Sequence, residues 1–137
     1  MSKIEAEVKQ MAGEEGSEID PLDFDNLDLT DVEIGTLSPE DKVYLEKFTK
    51  VDNMIMLGCG LTSLENFPDL PELKRLELSE NEFKGSDLVH LQKLKGLICL
   101  NLNGNKIDTM AELAHLKDLP LTTLEVTGNP VSELEDF

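Results

Sequence analysis

Reactive chemistry in this sequence would have to come mainly from His90, His115, Cys59 and Cys99, the only imidazoles and thiols it contains. These are the groups best suited to general-base work, nucleophilic attack and soft-metal binding, and each needs companions: a second ligand, an orienting acid or a positive field. No HxxxH or CxxC spacing supplies one. Gly58, Gly60, Gly104 and Gly128 lead into no lysine-capped helix, so they do not form a phosphate-cradling loop. Ser79-Glu-Asn-Glu and Ser132-Glu-Leu-Glu resemble acidophilic kinase sites, but such matches arise by chance in so acidic a chain. The acids themselves remain. The 29 Asp and Glu against 12 Lys and Arg give a net charge of −17 and a pI near 4.3. Such a surface repels phosphate backbones and attracts basic proteins, which disfavours direct nucleic-acid binding. The acidity is not one tail: residues 1–50 hold 14 acids and 5 bases, leaving 15 and 7 for residues 51–137.

The elements that position these side chains follow from a repeat. Leu73, Leu76, Leu78, Asn81 and Phe83 fit LxxLxLxxNxL. Leu97, Leu100, Leu102, Asn105 and Ile107 repeat the pattern, as do Leu121, Leu124, Val126, Asn129 and Val131. Upstream, Val51, Met54, Met56, Cys59 and Leu61 hold the same frame with Cys in place of Asn. A weaker fifth unit fits at Phe24, Leu27, Leu29, Val32 and Ile34. Each LxL is a short strand with its leucines turned inward, and each Asn can bond the turn backbone where the strand ends. The expected fold is α/β: a leucine-rich-repeat solenoid with a parallel concave sheet and short helical or 3-10 convex segments.

The convex returns differ in character. Ser86 is expected to cap a short helix carrying Leu88, Leu91 and Leu94, and Thr109 to Leu119 follows suit, whereas Pro68 and Pro71 keep their stretch extended or 3-10. Ser38-Pro39-Glu40-Asp41 is a helix start, with Tyr44, Leu45 and Phe48 facing inward. Residues 2–11 suit a helix with Ile4, Val8 and Met11 on one side, broken by Gly13–Gly16. Residues 1–20 are read as an N-terminal cap helix and acidic linker, and 21–137 as a repeat domain of about five units. No segment after Glu133-Leu-Glu-Asp-Phe137 covers the last layer at Leu121, Leu124 and Val126, so that layer is expected to be open.

Residues between the inward leucines face a partner. The middle row is Asp28, Ile55, Glu77, Asn101 and Glu125; the row beyond it is Thr30, Leu57, Ser79, Asn103 and Thr127; the row before it is Asn26, Asn53, Arg75, Cys99 and Thr123. The candidate binding residues are Asp28, Ile55, Leu57, Glu77, Ser79, Glu80, Asn101, Asn103, Glu125 and Thr127: a polar, partly acidic face around an apolar spot at Ile55 and Leu57. Solvated acids and simple apolar exposure are the blander explanations of the same rows. His90 and His115 fall on convex returns, and Cys59 and Cys99 lie about 10 Å apart by sheet spacing, beyond disulfide reach. No catalytic residue, metal or cofactor is expected.

Gly60-Leu-Thr-Ser-Leu64, Asn66-Phe-Pro68, Leu73-Lys-Arg-Leu-Glu-Leu-Ser-Glu-Asn81 and Leu100-Asn-Leu-Asn-Gly-Asn-Lys-Ile107 resemble the acidic leucine-rich nuclear phosphoprotein 32 family. The resemblance runs from about Leu27 to Phe137. It implies non-enzymatic nuclear proteins that shuttle to the cytoplasm, bind histones, restrain histone acetylation, inhibit protein phosphatase 2A and act as adaptors. The family's terminal cap and acidic tail, on which the histone-directed activities partly rest, are absent from the sequence, and 13–31 diverges. The alternative is a scaffold or regulatory subunit of a phosphatase or a small nuclear ribonucleoprotein, built on repeats of similar length. The sequence offers neither a signal peptide nor a run of the roughly 20 apolar residues a membrane span needs.

Overall fold

The computed structural model describes residues 2–11 and 19–133. Five three-residue strands follow one another in chain order: β1 (Asn26–Asp28), β2 (Asn53–Ile55), β3 (Arg75–Glu77), β4 (Cys99–Asn101) and β5 (Thr123–Glu125). They form one parallel sheet in the order β1-β2-β3-β4-β5. The register sets Leu27, Met54, Leu76, Leu100 and Leu124 side by side, the frame expected from the leucine spacing, weak first unit included. Backbone pairing continues past each strand, for example Leu78 N–H to Asn101 O (2.9 Å) and Glu80 N–H to Asn103 O (2.8 Å).

The turn beyond each strand is held by the ladder position. Asn81 Oδ1 accepts from the N–H groups of Cys59 and Leu61, both at 3.0 Å, while its Nδ2 donates to the carbonyls of Met56 and Leu78, both at 2.9 Å. Asn105 Nδ2 donates to Leu78 and Leu102, and Asn129 Nδ2 to Leu102 and Val126, so each amide ties its own repeat to the one before. Cys59 does this with its thiol, donating to Leu29 O at 3.1 Å. Val32, with no polar atom, is buried apolar surface at the same offset.

Helices α1 (Lys3–Met11), α2 (Pro39–Leu45) and α3 (Met110–Leu113) are joined by four short 3-10 helices. The capping box of α2 is present: Ser38 Oγ accepts from Asp41 N–H while Asp41 Oδ2 accepts from Ser38 N–H, both at 3.0 Å. Asp41 Oδ1 also accepts from Ile4 N–H (3.3 Å), fastening α1 to α2 and placing Ile4 and Val8 against the core. Tyr44, Leu45 and Phe48 are buried, with Phe48 edge-on to both Tyr44 and Phe24. The Met11 side chain and the Gly13–Gly16 break lie outside the described residues.

One convex segment departs from expectation. Gly85–Leu91 is a 3-10 helix, and Ser86 lies inside it instead of capping it. The capping acceptor is Asp87, whose Oδ2 takes the Lys84 N–H (3.1 Å) and whose Oδ1 takes Leu64 N–H and Ser63 Oγ, both at 3.3 Å. A carboxylate reaching three residues back and into the previous repeat outcompetes a short hydroxyl. Leu88, Leu91 and Leu94 are buried all the same.

Candidate partner-binding surface

The exposed face of the sheet collects the middle row in register: Asp28, Ile55, Glu77, Asn101 and Glu125. Its acids recur on every second strand. Arg75 is the one charged group in the row before, next to Asn26, Asn53, Cys99 and Thr123. A shallow hollow of about 240 Å³ lies between these rows, lined by Asn53, Ile55, Arg75, Leu76, Glu77, Cys99, Asn101 and Glu125.

Side-chain bonds hold the face in place. Asp28 Oδ1 accepts from Thr30 N–H at 2.9 Å and from its hydroxyl at 2.5 Å. Glu77 accepts from the Ser79 hydroxyl and, at 3.3 Å, from Asn101 Nδ2, while Asn101 Oδ1 accepts from Asn103 N–H at 2.9 Å. Asn53 Nδ2 donates to Asn26 Oδ1 at 2.8 Å. Ile55 and Leu57 are half-buried. Ser79 is buried and committed to Glu77, so it positions that carboxylate and offers a partner nothing directly. Asn103 is half-buried with its Oδ1 enclosed and unbonded, while Asp28, Glu125 and Thr127 are exposed.

Glu80 sits one step further, in the turn. Asp31, Gly58, Glu80, Gly104 and Gly128 share one offset of the repeat, and all five take positive φ, 62°, 65°, 59°, 71° and 78°. Glycine enters this region freely, whereas a side chain there is strained. The two acids lean over neighbouring glycines: a Cβ on Gly58 would stand 2.8 Å from Asp31 Oδ1, and one on Gly104 would stand 2.5 Å from Glu80 Oε1. Glu80 and Asp31 thus extend the acidic side of the face beyond the strand ends. Asp31 is absent from the sequence-derived site, although its alignment with Gly58, Glu80, Gly104 and Gly128 was the available signal.

The reactive groups lie apart. Burial, followed by the field of Asp31, pushes the Cys59 thiol from its ordinary 9.0 up to about 11, which keeps it protonated and inert near neutrality. His90 and His115 lie in separate 3-10 segments of the convex side. Among the described residues no group of three or more His, Cys, Asp or Glu could hold a metal ion, and no helix is long and apolar enough to cross a membrane. Other hollows lie away from the sheet face. One, of about 370 Å³, lies between α1 and α2 beside Val43 and Tyr44; in another, of about 520 Å³, Lys50 and Lys74 are offset by Asp52 and Glu72.

A parallel sheet of LxL strands with asparagine-tied turns and an open polar face is a leucine-rich-repeat solenoid. No protein-family model matches the chain. Curated relatives do, among them two named acidic leucine-rich nuclear phosphoprotein 32 family member A, from Drosophila melanogaster and Drosophila pseudoobscura pseudoobscura. Each is 34% identical over 93 residues, which cover 67% of this chain and 35% of the relative. The chain belongs to the acidic leucine-rich nuclear phosphoprotein 32 family. It spans about a third of the length of the curated relatives it matches. Their shared name denotes no class of enzyme.

Proposed function

We propose that this chain is a non-enzymatic acidic adaptor that holds basic proteins, histones foremost, against the open face of its sheet. The observation that carries the reading is the row Asp28, Glu77 and Glu125, set in register beside the half-buried Ile55 and Leu57. Charge steers a basic partner to the face, and the apolar pair supplies contact area that water does not contest. Asp31 and Glu80 enlarge the same field.

A basic segment held there has its lysines covered, so an acetyltransferase cannot reach them; restraint of histone acetylation is then a consequence of binding. Inhibition of protein phosphatase 2A belongs to the same proposal, with a phosphatase subunit as the second partner. The relatives are named nuclear proteins, and nuclear residence with cytoplasmic shuttling is the location proposed for this one.

The test is a direct comparison of dissociation constants for labelled core histones, a phosphatase catalytic subunit and a small nuclear ribonucleoprotein particle, each at two ionic strengths. The proposal expects histones to bind most tightly, with an affinity that falls as salt screens the face. Preference for the phosphatase subunit or the ribonucleoprotein, with weak histone binding, would instead favour the scaffold alternative.

A further inference from the structure

The sheet face imposes a spacing on whatever occupies it. Each strand contributes one middle-row residue, and neighbouring strands of a sheet lie about 4.8 Å apart. Asp28, Glu77 and Glu125 stand on β1, β3 and β5, so the backbone positions that carry successive acids are roughly 9.6 Å apart. Within the three face rows no strand carries more than one acid, so a ligand lying along β1, β3 or β5 meets one carboxylate there, joined past the strand end only by Asp31 on β1 or Glu80 on β3, whereas a ligand crossing the strands along the middle row meets three. Arg75 repels cations from the side of the row nearest the strand starts, and Glu80 and Asp31 attract them on the other. The charges therefore mark out one lane across the sheet.

Backbone geometry then selects the ligand. A β-strand turns the same face every second residue, a step of about 6.7 Å, too short for the lane. An α-helix returns to one side after three or four residues, about 4.5–6 Å, and comes near the spacing only at seven residues, about 10.5 Å, so it falls out of step by the third acid. A polyproline II segment has three residues per turn and a rise of 3.1 Å, hence one side chain of the same face about every 9.3 Å. Its backbone makes no internal hydrogen bonds, which leaves its carbonyls free for the remaining amide hydrogens of Asn53 and Asn101, and its apolar residues can lie on Ile55 between the first two acids.

We infer that the sheet face takes an extended polyproline II segment of a basic protein, laid across the strands with cationic side chains at every third residue over Asp28, Glu77 and Glu125. This rests on the proposed binding of basic partners and adds the conformation and sequence period of the bound segment. Ser79 and Asn101 serve it by fixing the Glu77 carboxylate at the centre of the lane.

The experiment uses three fluorescent peptides of equal length, composition and charge, their cations being the short side chain of 2,4-diaminobutyric acid. Three cations stand at every third, every second or consecutive positions, and labelled core histones are titrated in parallel. Binding is read by anisotropy against the full chain and its Glu77→Gln and Glu125→Gln variants. The period-three peptide should bind about five- to tenfold more tightly than the other two, the factor that three exposed charge pairs can supply. Either Gln substitution should shrink that advantage while leaving the other two peptides little changed. If histones bind and the peptides bind equally, or none binds, or another spacing wins, the segment proposal is overturned and the basic-partner reading survives. If neither histones nor peptides bind, both fall.

Discussion

Glu80 is placed where function and stability oppose each other, and replacing it separates the two. At φ 59° its backbone is in the left-handed region that three of the four residues sharing its offset enter as glycine. For a residue with a Cβ this conformation costs roughly 1–2 kcal/mol. Glu80→Gly removes that strain but loosens the unfolded chain, which takes back roughly 0.4–1 kcal/mol. No hydrogen bond of its side chain is lost among those the structure shows, and its backbone N–H still donates to Asn103 O. The net expectation is a gain of about 0.5–1 kcal/mol, or roughly 2–4 °C in Tm for a domain of this size. Glu80→Ala keeps the strain and loses the carboxylate, so it should leave stability within about 0.5 kcal/mol of the parent. Gly104→Ala, at φ 71°, should cost about 1–2 kcal/mol, chiefly from its own backbone, since the Glu80 carboxylate can swing aside. Urea unfolding at unchanged slope gives all three values. Both Glu80 variants should bind histones more weakly, so Glu80→Gly gains stability as it loses affinity. Equal stability of Glu80→Gly and Glu80→Ala would refute the claim that strain is stored at this turn.

A ladder asparagine and a face asparagine should differ by their bonds: Asn81→Ala, which strands both the Cys59 and Leu61 N–H groups, should cost about 2–3 kcal/mol, and Asn103→Ala, on the sheet face, less than about 0.5, with equal losses contradicting the assigned frame. Cys59 binds its proton more tightly folded than unfolded, so its contribution to stability is complete below pH 9 and declines as pH rises toward about 11. Tyr44, raised by burial and then by Glu5, adds to the same alkaline decline, so Cys59→Ala should flatten the fall in urea midpoint between pH 9 and 11 without abolishing it. Leu124 is 40% exposed where Leu100 at the same register is 0%, so amide exchange should be faster at β5 than at β3 and β4; uniform protection across these strands would speak against an open last layer.

Much of the fold was legible because the repeat is enforced by burial. Every inward position recurs at a fixed offset, so even the unit at Phe24–Ile34, with Val32 in the amide position, falls into register on its leucines alone. The interval of 27 residues from it to the next unit accommodates α2 on the convex side. The choice between helix types was not legible: Gly85–Leu91 carries helical spacing, and only the reach of Asp87 to Lys84, Ser63 and Leu64 sets its start. The three face rows were readable from alternation. What alternation cannot report is that Ser79 tucks beneath Glu77, or that Asp31 and Glu80 share the positive φ of this turn offset and lie over neighbouring glycines that have no side chain to displace.

The face itself is tested most directly by charge reversal at matched net charge. Glu77→Lys with Glu125→Lys alters the middle row, while Glu65→Lys with Asp118→Lys changes two exposed acids on the convex side. Glu112 is unsuitable for that control, since it accepts from the Thr109 hydroxyl at 2.8 Å and packs over Gly85. Association and dissociation of core histones are followed for both double variants over a range of salt. The expected result is association slowed by about tenfold or more, with a flattened salt dependence, for the sheet-face pair, and near-parental kinetics for the convex pair. Equal slowing of both would mean that the acidic body as a whole attracts the partner, and would contradict a binding site on the sheet.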